Sequence, residues 1–164
     1  MKTVLPALLI ALFVIGCNKA SNKESMNQND TLSKSAITYD SVLAKNLKAD
    51  KYGMKKYIFA YLKKGPNRNQ DSLQVEAIQK GHMANIQRLA NEGKLILAGP
   101  FLDETDIRGI FIFDVETIEE AEALINTDPA IKSGRLVMEL HPWYGSAALL
   151  EVNKIHKKIS KENP

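Results

Sequence analysis

Between Lys56 and Leu62 the sequence alternates with the two-residue period of a β-strand, and its side chains are apolar on both faces. One face carries Tyr57, Phe59 and Tyr61, and the other carries Ile58, Ala60 and Leu62. Strands with two apolar faces lie inside a sheet that is covered from both sides. A fold built around this segment therefore needs one packing layer on each face of its sheet.

Two helices and three further strands are predicted after this strand. The first helix carries an apolar stripe from Val75 to Leu89 that includes His82, and Gly93 ends it. Thr117, whose hydroxyl can accept a main-chain N–H, is predicted to be the N-cap of the second helix. The further strands are predicted at residues 95–98, 109–115 and 135–141. This order predicts an α+β fold of the ferredoxin-like βαββαβ type, with the first and third strands in the centre of the sheet.

Two helices can cover only one face of a four-stranded sheet, so the other face needs a different partner. We expect this open face to carry aromatic side chains, namely Tyr57, Phe59, Tyr61, Phe111 and Phe113. Such a contiguous apolar surface exceeds what a soluble monomer normally exposes. The simplest cover is the same face of a second subunit related by a two-fold axis, which predicts a homodimeric α/β barrel.

The composition excludes several functional classes. The chain of 164 residues has 22 Lys and Arg against 19 Asp and Glu, and the scatter of its basic residues argues against nucleic-acid binding. A single cysteine excludes an intramolecular disulfide framework and a cysteine-based zinc site, and three histidines leave little room for a metal centre. No glycine-rich phosphate loop or other cofactor motif is present, so no cofactor is predicted.

The first residues of the chain have the layout of an export signal. Lys2 provides a positive charge, and about a dozen mostly apolar residues follow, too few to span a membrane comfortably. The segment ends with Val-Ile-Gly before Cys17, which resembles the lipobox of bacterial lipoproteins. The resemblance implies that residues 1–16 are removed and that Cys17 carries acyl chains, palmitate among them, which anchor the protein in the bacterial cell envelope. The alternative is a plain secretory signal or an uncleaved anchor, with an incidental cysteine.

Composition divides the rest of the chain into three parts. Residues 17–54 are expected to form a tether, polar and flexible through about Ala36, within which Asp40 caps a short helix. Residues 55–145 hold the folded domain. Residues 146–164 are predicted to form a short helix with a basic end, which docks on the domain or on a partner subunit. The alternative is a role of this helix at the membrane surface.

His82 and Asp128 are the candidate functional residues. His82 lies on the apolar stripe of the first helix, where it could be a core histidine hydrogen-bonded to a backbone carbonyl or a proton-transfer group. Asp128 stands before a proline, a pattern typical of the N-cap of a short helical turn. After the last strand, Pro142 and Trp143 are predicted to end the ladder and to seal an edge.

Several segments of the chain resemble the YciI-like (YCII-related) family. They are residues 82–89, residues 92–100 with the Ala-Gly-Pro run, the Asp128–Pro129 pair followed by Gly134, and the strand at residues 137–141. The resemblance implies a dimeric ferredoxin-like barrel and an active-site pair formed here by His82 and Asp128. One branch of the family resembles a dehydrochlorinase of chlorinated hydroxylated aromatics; this sequence departs from it in a short loop between the middle strands and in Ala130.

Two functional hypotheses follow. In the first, the protein is an enzyme in which Asp128 orients His82, and His82 transfers a proton to and from a small organic or aromatic substrate, as a lyase or isomerase does. Its apolar wall is expected to comprise Tyr57, Phe59 and Phe111. In the second, the protein is a non-catalytic homodimer that binds a small ligand or supports an envelope assembly. Haem binding is a weaker idea, because a histidine within a packed helical stripe is a poor axial ligand.

Overall fold

The computed structural model of the protein describes residues 38–162. Its helices and strands, in chain order, are α1 (Ser41–Asn46), β1 (Met54–Lys64), α2 (Ser72–Asn91), β2 (Leu95–Pro100), β3 (Ile107–Phe113), α3 (Ile118–Ile125), α4 (Pro129–Lys132), β4 (Leu136–Ser146), a 3₁₀ helix (Ala147–Glu151) and α5 (Val152–Ile159). The predicted signal peptide, Cys17 and the polar part of the predicted tether lie outside the described residues. Within residues 38–162, no helix is long and apolar enough to cross a membrane.

The four strands form one antiparallel sheet in the order β2-β3-β1-β4. The predicted α+β fold is confirmed, including the central positions of the first and third strands. β4 is longer than predicted, since it pairs with β1 from Leu136 opposite Lys64 to Ser146 opposite Met54. The prediction that Pro142 ends this ladder is wrong. β4 lies at the edge of the sheet, and an edge strand tolerates a proline whose missing N–H would not face its neighbour.

One face of the sheet packs against the helices and forms the larger core. Ala60 of β1 stands opposite Phe111 of β3, and Ile58 stands opposite Phe113. Residues opposite each other on neighbouring strands point to the same face. Both phenylalanines are therefore buried in this core with Leu89 of α2. The prediction that placed them on the open face is wrong, because the pairing register between β1 and β3, not the alternation within β3, decides the face.

The opposite face of the sheet carries a second core, which the C-terminal segment partly covers. Tyr57, Ile96 and Ile112 are buried there, and Leu149 and Leu150 of the 3₁₀ helix pack against them. An asparagine side chain in the first turn of α5 donates a hydrogen bond of 2.9 Å to a main-chain carbonyl of β2. The chain thus covers with its own residues part of the surface that was expected to need a second subunit.

The rest of this second face is an aromatic surface formed by Phe59, Tyr61 and Trp143, which we call the aromatic face. Ring centroids lie 4.9 Å apart for Phe59 and Tyr61 and 6.1 Å apart for Phe59 and Trp143, both in edge-to-face geometry. Such pairs stabilise a surface beyond the area that they bury. Trp143 nevertheless keeps 37% of its surface exposed, so this part of the sheet has no complete cover within residues 38–162.

Helix α2 is the rigid element that carries His82. It begins with a capping box, in which the Asp71 carboxylate accepts the Gln74 main-chain N–H at 2.8 Å and the Gln74 side chain accepts the Asp71 N–H at 3.1 Å. The helix ends as predicted before Gly93, whose φ of 68° lies in the left-handed region that glycine adopts freely. Because both ends are fixed, the side chains on the buried stripe of α2 have defined positions over the sheet.

Candidate functional site

His82 and Asp128 are in direct contact, although 46 residues separate them in the sequence. His82 Nδ1 lies 2.7 Å from Asp128 Oδ2. Both residues are buried, with 7% of His82 and 0% of Asp128 exposed. An ionised carboxylate can only accept, so Nδ1 carries the proton that it donates to Oδ2. In the neutral imidazole this hydrogen bond selects the tautomer with a free electron pair on Nε2.

The second carboxylate oxygen of Asp128 has a separate structural task. Oδ1 accepts the main-chain N–H of Ala130 at 2.8 Å and so caps α4, in which Pro129 occupies the first turn. The N-cap predicted from the sequence is therefore present, and it coexists with the contact to His82. Because the cap fixes one oxygen, the other oxygen is held in place for the imidazole.

A close approach of two helices brings this pair together. At Gly81, the residue before His82, an added Cβ would lie 2.8 Å from Cγ of Pro129, the residue after Asp128. Contacts this short are not tolerated between carbon atoms, so glycine is required for α2 and α4 to lie at their present separation. This role was not predicted from the sequence, although a glycine in the middle of a helix is a signal, because it costs about 0.5–1 kcal/mol relative to alanine.

A polar network beside the pair ties α2 to the turn between α3 and α4. Arg88 Nη2 donates to Asn85 Oδ1 and to Thr127 Oγ1, both at 2.8 Å. Asn85 is 7% exposed and lies one turn along the helix from His82. This network was not predicted from the sequence either; its signal is a second polar residue on the buried stripe of α2. The network adds a hydrogen-bonded constraint next to the packing contact of the two helices.

A cavity of about 520 Å³ lies against His82, between α2 and the sheet. Phe111 stacks parallel to the imidazole, with ring centroids 6.1 Å apart and an interplanar angle of 12°. The larger apolar side chains that line the cavity are Leu62, Ile78, Met83, Ile86, Phe111 and Leu136. Nε2 of His82 has no hydrogen-bond partner within residues 38–162 and is therefore available to a bound molecule. Volumes of this size are typical of small-molecule sites.

The predicted apolar wall of Tyr57, Phe59 and Phe111 is divided between the two faces of the sheet. Phe111 lines the cavity, whereas Tyr57 and Phe59 belong to the core on the opposite face. The expectation that the three side chains share one wall is wrong, because Phe111 pairs with Ala60 and so points to the helices. A role for Tyr57 and Phe59 in ligand binding stays a prediction about that other face.

Tyr57 is held rigidly where it is. Its hydroxyl donates a hydrogen bond of 3.0 Å to the main-chain carbonyl of Ser146. Burial, with a smaller contribution from the negative charge of Asp114, raises the pKa of Tyr57 to about 12. The phenol therefore acts as a neutral donor that fastens β1 to the end of β4.

Three arginines from separate parts of the chain also line the cavity, and the sequence analysis did not identify them. They are Arg68 in the loop before α2, Arg108 in β3 and Arg135 before β4. Partial desolvation, followed by repulsion from the charges of Arg135 and Arg108, lowers the pKa of Arg68. No motif joins the three, since only the folded sheet brings them together. Within residues 38–162, no group of three or more His, Cys, Asp or Glu side chains is placed to hold a metal ion.

Comparison with known proteins places the domain in a family. The YCII-related domain matches residues 54–144. The uncharacterized protein YjpA of Bacillus subtilis (strain 168) is 32% identical over 63 residues, which are 38% of this chain and 72% of that protein. The fold also resembles a solved structure, that of the 5-chloro-2-hydroxyhydroquinone dehydrochlorinase of Burkholderia phenoliruptrix AC1100 in complex with 2,5-dihydroxybenzoquinone. The two sequences are 25% identical, and the TM-score is 0.41. The match covers 53% of this chain and 92% of that chain. Since the family match spans over half of the chain, the protein belongs to the YCII-related domain family.

Proposed function

We propose that the protein is an enzyme that transfers a proton to and from a small organic or aromatic substrate bound in the cavity. The observation that carries this proposal is the buried contact of 2.7 Å between His82 Nδ1 and Asp128 Oδ2 at the wall of an apolar cavity. A histidine that served only the core would be expected to use both ring nitrogens in hydrogen bonds to the protein. Here Nε2 has no such partner within the described residues, so it can serve a substrate.

The proposed reaction begins with Nε2 as a general base. The free electron pair of Nε2 takes a carbon-bound proton, and the electrons of the broken C–H bond stay on the substrate. Asp128 stabilises the imidazolium that forms, in the manner of the carboxylate of a catalytic triad. In an isomerase the proton returns to another atom of the substrate, whereas in a lyase the electrons expel a leaving group. Positioned proton transfer of this kind contributes about 10²–10⁴-fold in rate.

We further propose that the protein works as a homodimer anchored to the bacterial envelope. The aromatic face, with Trp143 37% exposed, supports pairing with the same face of a second copy. The lipobox-like residues before Cys17 support acylation at that cysteine, with residues 17–54 as the tether between membrane and domain. Mass spectrometry of the full chain made in a bacterium tests the anchor. Acyl chains on a new N-terminal Cys17 are expected, and an unmodified cysteine would contradict the anchor.

Exchange of substrate hydrogen with solvent tests the catalytic proposal without knowledge of the product. The full chain, solubilised in detergent, is incubated in D₂O with a panel of small organic acids and phenols, and loss of the C–H signal is followed by ¹H NMR. We expect exchange on at least one compound, and His82→Gln should slow it by about 10²–10⁴-fold. Lys80→Gln, an exposed change on the same helix, is the control and should leave the rate unchanged.

An equal exchange rate in the His82→Gln protein, with its fold intact, would refute the mechanism. Binding of a compound without exchange would favour the second hypothesis, in which the protein is a non-catalytic ligand-binding or structural module of the envelope. The cavity of about 520 Å³ serves that function equally well, so the exchange rate and not binding distinguishes the two.

A further inference from the structure

We propose that the cavity binds a small organic acid as its anion, with a carboxylate or similar oxyanion held by Arg68, Arg108 and Arg135 and the apolar part of the molecule beside His82. This inference rests on the proposed function, because it names the class of substrate on which the pair of His82 and Asp128 acts. None of the three arginines was identified by the sequence patterns that point to His82 and Asp128.

The three guanidinium groups have no acidic partner. Within residues 38–162, none of the ion pairs between basic and acidic side chains includes Arg68, Arg108 or Arg135. The side chains that line the cavity include these three cations and no carboxylate. Clustered cations repel one another, and the lowered pKa of Arg68 has this repulsion among its causes, after partial desolvation. An anion bound among them would remove the repulsion.

Arg108 gives the most specific indication of a missing partner. Its Nε atom is buried and has no hydrogen-bond partner among the described residues. A buried N–H of a charged group that stays unpaired loses its hydration without compensation, so native proteins rarely leave one in this state. Oxyanions bind guanidinium through two parallel N–H donors, and Nε–H is one donor of such a pair.

The other two arginines are held near each other by main-chain contacts. Gly65 lies directly against Gly134, where an added Cβ would be 2.2 Å from the carbonyl oxygen, so the loop before α2 packs tightly on the turn before β4. Arg68 Nη1 donates to the carbonyl of Arg135 at 3.3 Å, and Arg135 Nη1 donates to Gln70 Oε1 at 3.3 Å. These long bonds to neutral acceptors orient the guanidiniums and leave most of their donors free.

The remaining lining decides what kind of anion fits. Large apolar side chains line the cavity together with His82, including Phe111, Met83 and Ile86. A bare inorganic anion would leave this surface wet, whereas an organic acid buries its hydrocarbon part there and gains free energy as apolar area is removed from water. The anionic group fixes the orientation of the molecule, so that its carbon atoms face Nε2 of His82.

Binding measurements with simple probes test this inference independently of catalysis. Benzoate, its neutral analogue benzamide and inorganic phosphate are titrated into the detergent-solubilised full chain by calorimetry. We expect benzoate to bind at least about tenfold more tightly than benzamide, which lacks the negative charge, and than phosphate, which lacks the apolar part. Arg108→Gln and the loop variant Arg68→Gln should each weaken benzoate by about 10–100-fold. Lys80→Gln removes an exposed charge that salt screens and should change the affinity by about twofold at most.

Equal binding of benzoate and benzamide, or unchanged affinity in both arginine variants, would overturn the inference. Phosphate that binds as tightly as benzoate would also overturn it, because the apolar lining would then contribute nothing. His82→Gln separates this inference from the proposed function. Benzoate binding that persists in this variant supports the arginine site even if exchange of substrate hydrogen proves independent of His82.

Discussion

Replacing Asp128 by asparagine tests how one carboxylate can serve two partners. The main-chain N–H of Ala130 needs an acceptor, so the amide oxygen of the new side chain should take the position of Oδ1 and keep the cap of α4. The amide nitrogen is then turned toward His82 and donates to Nδ1. Because Nδ1 must accept this hydrogen bond, the neutral imidazole is forced into the other tautomer, with its proton on Nε2. In this tautomer Nε2 cannot take a proton from a substrate.

The structure gives the size of the expected effects. In Asp128→Asn the cap is kept, because asparagine caps a helix about as well as aspartate. The charge-assisted hydrogen bond to His82 is replaced by a neutral one, so the free energy of unfolding should fall by about 1 kcal/mol. Asp128→Ala loses the cap, about 1 kcal/mol, and leaves a buried imidazole N–H without an acceptor, about 1–3 kcal/mol more. At about 4 °C for each kcal/mol, the midpoints of thermal unfolding should fall by about 4 °C and 8–16 °C respectively.

Thermal unfolding and the exchange of substrate hydrogen measure these two effects separately. The Asp128→Asn protein should stay folded and yet lose about 10²–10⁴-fold in exchange rate, since its base is in the wrong tautomer. Asp128→Ala is the comparison that lowers stability more. An Asp128→Asn protein with a normal exchange rate would refute the assignment of Asp128 as the residue that orients His82. An equal loss of stability in the two variants would refute the cap as the origin of the amide's orientation.

Three further predictions concern packing, alkaline stability and assembly. Gly81→Ala should push α4 away from α2 and weaken the hydrogen bond at Nδ1 of His82, and the ¹⁵N chemical shift of that atom should change as a result. Adding Pro129→Ala removes the ring carbon that clashes with the new methyl group, so the double variant should recover the wild-type shift. The free energy of unfolding, measured with urea, should fall as the pH rises from about 10 to about 12. The reason is that the phenol of Tyr57 has a pKa of 10.0 in the unfolded chain and of about 12 in the folded protein, so the unfolded chain loses this proton first. Tyr57→Phe should flatten this part of the pH profile. Trp143→Glu should convert the proposed dimer to a monomer in analytical ultracentrifugation, because it places a charge in the aromatic face.

Each of these predictions has an outcome that contradicts it. An unchanged ¹⁵N shift in Gly81→Ala would show that the close helix contact does not hold the pair. A decline in alkaline stability that persists in Tyr57→Phe would assign it to another group. Leu102→Glu, at a position that is 99% exposed and outside the aromatic face, is the control for Trp143→Glu. A wild-type protein that sediments as a monomer would refute the dimer.

The arrangement of strands could be predicted from the sequence because it depends on local patterns. The alternation between Lys56 and Leu62, the cap at Thr117 and the stop at Gly93 are each visible within a few residues. Their order then admits few topologies. The face of β3 could not be predicted in the same way, since both of its faces are apolar and only the register with β1 distinguishes them.

The candidate site was predictable only in part for the same reason. His82 was conspicuous as a polar residue on an apolar stripe, and Asp128 as a residue before proline, but their contact depends on the packing of α2 against α4. The arginines come from a loop, a strand and a turn that are distant in sequence, so no local pattern relates Arg68, Arg108 and Arg135. Sites of this kind become visible only when the fold brings their members to one cavity.

The tautomer of His82 in the wild-type protein is the most direct test of the site, because both the orienting role of Asp128 and the availability of Nε2 depend on it. Long-range ¹H–¹⁵N spectra of the imidazole distinguish a protonated ring nitrogen from an unprotonated one, in the pH range where the ring is neutral. We predict a proton on Nδ1, which donates to Asp128, and an unprotonated Nε2. A proton on Nε2 with an unprotonated Nδ1 would contradict the account.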